Sequence, residues 1–190
     1  MGQFLIAGLG NPGKEYADTR HNAGFMAADM LAGYFGEKFA PWARAKADYF
    51  KAELGGHTLY VVKPTGYMNL SGQSVVSFVS FYKIPKQNIL IIFDDMDLPP
   101  GAVRMRGQGS AGGQKGMKDI IEQLGTHDIA RVRIGIGPKP DYFEGRDYVL
   151  SKFSSAEKPL IKAALERALT AALDFVQSGL DAAMNKANQN

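Results

Sequence analysis

The chain has 190 residues, 45% of them hydrophobic and 22% charged, with no cysteine and a formal net charge of +3 from 22 basic and 19 acidic side chains. That length suits a single domain, 1–190, with a sizeable core, and the lack of cysteine excludes disulfides, thiol nucleophiles and thiolate zinc sites and fits a cytoplasmic setting. No stretch approaches the ~18 apolar residues of a membrane span, and the opening "MGQFLIAG" has neither the basic region of a signal peptide nor the sixth-position Ser or Thr of a myristoylation site.

The first element, "FLIAG" at 4–8, reads as a short strand ending in a glycine turn. The turn, "GLGNPG" at Gly8–Gly13, matches the G-x-G-x-x-G pattern of dinucleotide loops. Such a loop needs a helix opening at its last glycine and an acidic residue at a strand end ~20 residues on. Here the helical spacing starts only near His21, with Phe25, Met26, Met30, Leu31, Tyr34 and Phe35 as its apolar positions over 21–35, and Asp29 falls inside that helix. The cofactor reading is therefore weak, and a tight turn at the C-terminal end of a strand remains.

Residues 48–64 predict a hairpin turning at Gly55-Gly56. Residues 71–84 suit a helix with Val75, Val79 and Tyr82 inward and Ser71 as its cap. "NILIIFD", 88–94, is the most apolar run and predicts a central, fully buried strand. "AVRMR" (102–106) and "ARVRIGIG" (130–137) are further strands with a helix at 114–125 between them. The longest helix spans 154–179, opened by a Ser154/Glu157 capping box and closed by Gly179. Alternating strands and helices imply an α/β fold, a twisted mixed but mostly parallel sheet with helices on both faces.

The stretch 98–118 holds four basic residues (Arg104, Arg106, Lys115, Lys118), six glycines and no acid. Glycines let a backbone approach a ligand, and Arg and Lys contact phosphate; the competing reading is a solvated, flexible loop. Arg131 and Arg133 alternate along a strand, share one face and favour phosphate. A second constellation gathers at the strand ends. Asn11 follows the first strand, His21 opens the first helix, Asn69 sits between a strand and a helix, and Asp94, Asp95 and Asp97 close the buried strand. A neutral histidine can take a proton from water, a carboxylate can fix its tautomer, and amide NH₂ groups can hold a developing oxyanion. That set suggests general-base hydrolysis, although a lone histidine or an acidic turn cluster more often has no such role. His57 and His127 fall in predicted turns and no histidine pair has metal spacing.

Four blocks, "GLGNPGKEYADTRHNAGF", "VVKPTGYMNLSG", "IIFDDMDLPPGAVRMRGQGSAGG" and "RVRIGIG", together resemble the bacterial peptidyl-tRNA hydrolase family in order and spacing. The resemblance covers nearly the whole chain and is weakest in 36–50 and after 140. It implies a monomeric, cytoplasmic esterase without metal or cofactor that frees tRNA from peptidyl-tRNA for reuse, contacting the tRNA 3′ end and acceptor stem. By position, His21 matches the base and Asp94 its supporting aspartate. Asn11 matches the asparagine associated with telling N-blocked from free aminoacyl-tRNA, and Asn69 the one that holds the peptide main chain and the site's water. Tyr16 and Tyr67 match substrate-lining aromatics, and Arg106 and Arg133 the basic clamp on the tRNA 5′-phosphate. The chain departs at "GGQKG", where the family usually has "GGHNG", so Gln114 and Lys115 replace substrate-contacting His and Asn. The same fold also serves RNA-splicing factors, which leaves non-catalytic RNA binding as the alternative; four retained polar site residues argue against it.

Overall fold

Strand β1 (Gln3–Gly8) lies near the middle of a seven-stranded sheet in the computed structural model, which describes residues 1–189. The chain then forms α1 (Ala23–Phe35), β2 (Ala40–Trp42), β3 (Ala47–Leu54), β4 (His57–Pro64), α2 (Ser71–Tyr82), β5 (Ile89–Asp95), β6 (Val103–Arg106), α3 (Lys115–Leu124), β7 (Ala130–Gly135), α4 (Gly145–Val149), α5 (Lys158–Ser178) and α6 (Leu180–Ala187). The sheet order is β2-β3-β4-β1-β5-β7-β6. The inner strands β4, β1, β5 and β7 run parallel, and β2, β3 and β6 add antiparallel edges.

Strand alternation divides the core between two faces. Ile6, Leu59, Val61, Leu90, Ile92, Val132 and Ile134 pack with residues of α1, α5 and α6, among them Leu31, Ala168, Phe175 and Ala183. Leu5, Ala7, Tyr60, Val62, Ile89, Ile91 and Phe93 pack with α2 and α3 through Val75, Phe78, Met117 and Ile120. Every residue of β5 is buried, as its unbroken apolar run requires of a strand covered on both faces. The predicted hairpin forms, with Gly55 and Gly56 at φ 58° and 79° between Leu54 and His57. Positive φ at both turn residues matches the strand twist and is cheap only for glycine.

Several boundaries move. His21 lies on a 3-10 turn, Arg20–Asn22, because α1 begins at Ala23. The buried side of α1 is built from Ala23, Gly24, Phe25, Ala27, Ala28, Leu31 and Ala32, while Tyr34 is 56% exposed; mostly small residues bring this helix close to the sheet, and Tyr34 points away from it. Ser71 does not cap α2, since its hydroxyl donates back to the Met68 carbonyl. The capping-box bonds of Ser154 and Glu157 form, but α5 itself begins at Lys158, with Pro159 in a first turn that tolerates proline. β2, α4 and α6 have no counterpart in the sequence reading. Among the described residues no helix is long and apolar enough to cross a membrane.

Candidate active site

The connections after β1 and β5 leave in opposite directions. From β1 the chain returns through α1 and the β2–β3 hairpin arm to β4 on one side, and from β5 it proceeds through β6 and α3 to β7 on the other. Adjacent parallel strands whose connections diverge open a crevice at their C-terminal ends, where open α/β sheets build sites. A cavity of about 860 Å³ lies there, within the size range of small-molecule sites. Asn11, Tyr16, His21, Tyr67, Met68, Asn69, Asp94, Gln114, Lys115, Arg146, Val149 and Leu150 are among its walls.

Close backbone approach puts His21 over the end of β5. A Cβ on Gly24 would lie 2.3 Å from the Ile92 carbonyl oxygen and 2.4 Å from the Leu9 nitrogen, so only glycine lets the first turn of α1 rest on the strand ends. Two hydrogen bonds fix the contact, Leu9 N–H to Ile92 O at 2.9 Å and Phe25 N–H to Leu9 O at 3.1 Å. A Cβ on Gly8 would lie 2.2 Å from the Gly24 carbonyl oxygen and one on Gly10 2.5 Å from the Phe25 ring, so the early glycines of "GLGNPG" serve packing. No helix opens at Gly13; two 3-10 turns precede α1, and Asp29 is exposed on that helix and paired with Lys63 at 2.7 Å. The cradle a pyrophosphate needs is missing.

His21 Nδ1 lies 2.8 Å from Asp94 Oδ2. Asp94 is 3% exposed, and the histidine side chain 12%. A carboxylate only accepts hydrogen bonds, so Nδ1 carries the proton and Nε2 keeps its lone pair. The other carboxylates of the cluster are committed to other partners, although Asp95 also lines the cavity. Asp95 Oδ2 holds Arg133 at 3.0 Å and its Oδ1 accepts the Asp97 N–H, while Asp97 is exposed. Alternation explains the division, because Asp95 falls on the same strand face as Phe93, the register partner of Arg133.

The remaining polar groups close a ring around the cavity floor. Asn22, next to His21, accepts the Asn11 N–H at 2.8 Å and donates to the Asn11 carbonyl at 3.0 Å. Asn11 Oδ1 accepts the Met68 N–H at 2.8 Å. Gln114 Nε2 lies 3.2 Å from Met68 Sδ and donates to Asp94 Oδ1 at 3.1 Å. Gln114 Oε1 accepts the Met117 N–H at 2.7 Å and so caps α3. Asn69 stands on the 3-10 turn Met68–Leu70, exposed to the cavity, with Tyr67 just before it and Tyr16 on the turn Lys14–Tyr16.

Sequence reasoning placed His21, Asp94, Asn11, Asn69, Tyr16, Tyr67, Gln114 and Lys115, and all eight line this cavity. Arg106 and Arg133 do not; Arg106 is exposed on the edge strand β6, and Arg133 lies on β7, next to β5, bound to the cavity-lining Asp95. Arg131 departs from expectation. It is 2% exposed and donates to the carbonyls of Ile129, Gly109, Ser110 and His127, so it secures the 107–114 loop from beneath. Burial, with Arg133 nearby, lowers its pKa from the usual arginine range. Sequence reasoning missed Asn22, Met68 and the wall formed by Arg146, Val149 and Leu150. The "RHN" tripeptide put Asn22 beside the histidine, but its bond to the Asn11 backbone is a tertiary fact. Among the described residues no group of three or more His, Cys, Asp or Glu side chains is gathered as a metal site requires.

Comparison with known proteins gives a consistent result. The family described as Peptidyl-tRNA hydrolase matches residues 5–190. A peptidyl-tRNA hydrolase of Elusimicrobium minutum is 51% identical over 185 residues, covering 97% of this chain and 98% of the relative. One from Desulforamulus reducens is 49% identical, covering 97% and 88%. The crystal structure of the Acinetobacter baumannii peptidyl-tRNA hydrolase superposes with a TM-score of 0.93 at 39% identity, covering 98% of this chain and 94% of that one.

Proposed function

The chain belongs to the peptidyl-tRNA hydrolase family, and from that premise we propose how its site performs the reaction. It is an enzyme that hydrolyses peptidyl-tRNA. The observation that carries the mechanism is the 2.8 Å contact between His21 Nδ1 and a buried Asp94 at the floor of the cavity. His21 Nε2 takes a proton from water as that water attacks the ester carbonyl joining peptide to the 3′-terminal ribose. Asp94 holds the ring in the Nδ1–H tautomer and stabilises the imidazolium that forms. The carbonyl oxygen becomes an oxyanion, received by amide NH₂ groups. Asn11 commits its Oδ1 to Met68, which leaves its NH₂ for this role, and Asn69 faces it from the opposite turn. The intermediate then collapses, the C–O bond to the ribose breaks, and the imidazolium returns its proton to the departing ribose oxygen. The products are a peptide carboxylate and a free tRNA 3′-OH.

Tyr16 and Tyr67 supply flat walls for the peptide and terminal nucleotide. Lys115 is the first residue of α3 and exposed at the cavity. A cation there opposes the helix dipole, and a substrate carbonyl or phosphate oxygen compensates for it. Arg106 and Arg133, outside the cavity lining, engage the acceptor-stem end phosphate. The full catalytic set comes from one chain, which supports a monomer, and a tRNA substrate fits a cytoplasmic setting. RNA binding without catalysis has no use for a buried carboxylate aligned on a histidine.

The testing experiment is turnover of N-acetyl-aminoacyl-tRNA against free aminoacyl-tRNA. The natural protein hydrolyses the first and spares the second, and Asn11→Ala narrows that ratio. Equal turnover of both substrates by the natural protein contradicts the assignment of Asn11.

A further inference from the structure

We propose that Gln114 is a positioning residue for the catalytic carboxylate, holding Asp94 through Oδ1 while His21 holds it through Oδ2. This rests on the reading of His21 as the base. The two oxygens of Asp94 are shared between two donors, the imidazole at 2.8 Å and the Gln114 amide at 3.1 Å. The carboxylate lies in the cavity floor at 3% exposure, and Gln114 is itself only 8% exposed. Although Gln114 lines the cavity, both ends of its amide are engaged within the protein, by Asp94 and by the Met117 N–H.

The orientation of the Gln114 amide is fixed from its other end. Its Oε1 accepts the Met117 N–H at 2.7 Å, one of the donors that a helix start leaves unpaired. Rotating the amide by half a turn would set oxygen against the Asp94 oxygen and NH₂ against the Met117 N–H, losing both bonds at once. The first turn of α3 therefore dictates which end of the amide faces Asp94. That turn is itself anchored: a Cβ on Gly116 would sit 2.6 Å from Met68 Sδ, so α3 rests directly on the turn that Asn11 holds. The carboxylate plane is in this way tied to a helix, and the imidazole to the carboxylate. An amide is neutral and does not titrate, so it donates to Asp94 in one fixed sense.

Three substitutions separate positioning from capping. Gln114→Met removes both bonds. Gln114→Ser keeps a helix-capping acceptor for the Met117 N–H but is too short to donate to Asp94. Gln114→His restores one donor and one acceptor. In the whole enzyme, Gln114→Ser should keep most of the wild-type Tm yet lose about 10- to 100-fold in kcat with KM little changed, as a lost hydrogen bond to a charged group implies. Gln114→Met should show the same kcat and a lower Tm, and Gln114→His should recover kcat. Wild-type kcat in Gln114→Ser overturns the proposal, as does a loss confined to KM. Asp94→Asn, assayed alongside, tells the two failures apart. If it is crippled while Gln114→Ser is fully active, only the positioning role falls; if Asp94→Asn is also fully active, the general-base reading falls with it.

Discussion

Arg20 and His21 are consecutive residues on one 3-10 turn, and each is bound to a carboxylate. Arg20 grips Glu157 with two nitrogens, at 2.7 and 2.9 Å, and donates further to Ser151 Oγ and the Ile136 carbonyl. Its guanidinium lies over Tyr148 at 4.6 Å and Phe153 at 5.1 Å. His21 makes one hydrogen bond, to Asp94, and its other nitrogen is left at a cavity. The same class of contact serves cohesion in one case and, in the proposed mechanism, chemistry in the other. What separates them is the unspent valence: nearly every donor of Arg20 is consumed and its faces are covered, whereas His21 keeps one lone pair beside space for a substrate. Arg20 also ties this turn to the 148–157 segment, which carries the far wall of the same cavity, so the structural pair holds the frame in which the proposed catalytic pair sits.

Substitution at the two carboxylates gives the sharpest contrast. Asp94→Asn should lower kcat about 10²- to 10⁴-fold by losing the partner that fixes the histidine tautomer, with Tm little changed, and should shift the acidic limb of the pH–rate profile. Asp97→Asn should be near wild type, because Asp97 is exposed. If Asp97→Asn is the crippled variant, the pairing has been misassigned. Arg20→Met should reverse the pattern, costing about 2–4 kcal/mol of stability by stranding a partly buried carboxylate, with kcat largely kept below the unfolding transition. A large kcat loss in a fully folded Arg20→Met protein would erase the distinction.

Glu157 adds a pH dependence to the structural pair. The Arg20 hydrogen bonds, helped by Ser154, lower its pKa from 4.5 to about 2. The folded state thus binds this proton less readily than the unfolded chain. The resulting stability is fully present above about pH 4.5 and drains away as pH falls toward 2. Its size is at most about 3 kcal/mol, less what solvent screening removes from this partly exposed pair. Glu157→Gln should flatten this part of the acid-unfolding curve, read by Tm against pH; an unchanged slope would show that Glu157 is not the group responsible.

The smallest effects are expected at the basic edge. Charge reversal of Arg106 or Arg133 should weaken full-length tRNA substrates, leave a short CCA-like fragment nearly unaffected, and reduce the log–log salt slope of binding by ~0.7–0.9 per lost phosphate contact. Equal losses on both substrates would contradict a remote clamp. Arg133 shares its charge with Asp95, so Arg106 should show the cleaner effect.

The contrast also marks where the sequence is legible. Periodicity located β1, the β3–β4 hairpin, β5 and the principal helices, because each buries a regular stripe. It missed β2, α4 and α6, which have three, five and eight residues and are too short to form without tertiary support. Asn11, His21, Asn69 and Asp94 were readable because the strand ends of an α/β sheet converge on one edge. The role of Gln114 was not, since its bonds to Asp94 and Met117 depend on how α3 meets the Met68 turn. Arg131 was misread for a related reason. Alternation correctly puts it on the Arg133 face, but nothing in the strand pattern tells that the 107–114 loop covers it.

Single-turnover hydrolysis of one N-acetyl-aminoacyl-tRNA by wild-type and His21→Ala proteins, with enzyme in saturating excess, reaches the chemical step most directly. The account predicts that His21→Ala folds, binds the substrate with near-wild-type affinity, and cleaves it about 10²- to 10⁴-fold more slowly. Cleavage at close to the wild-type rate would contradict His21 as the base.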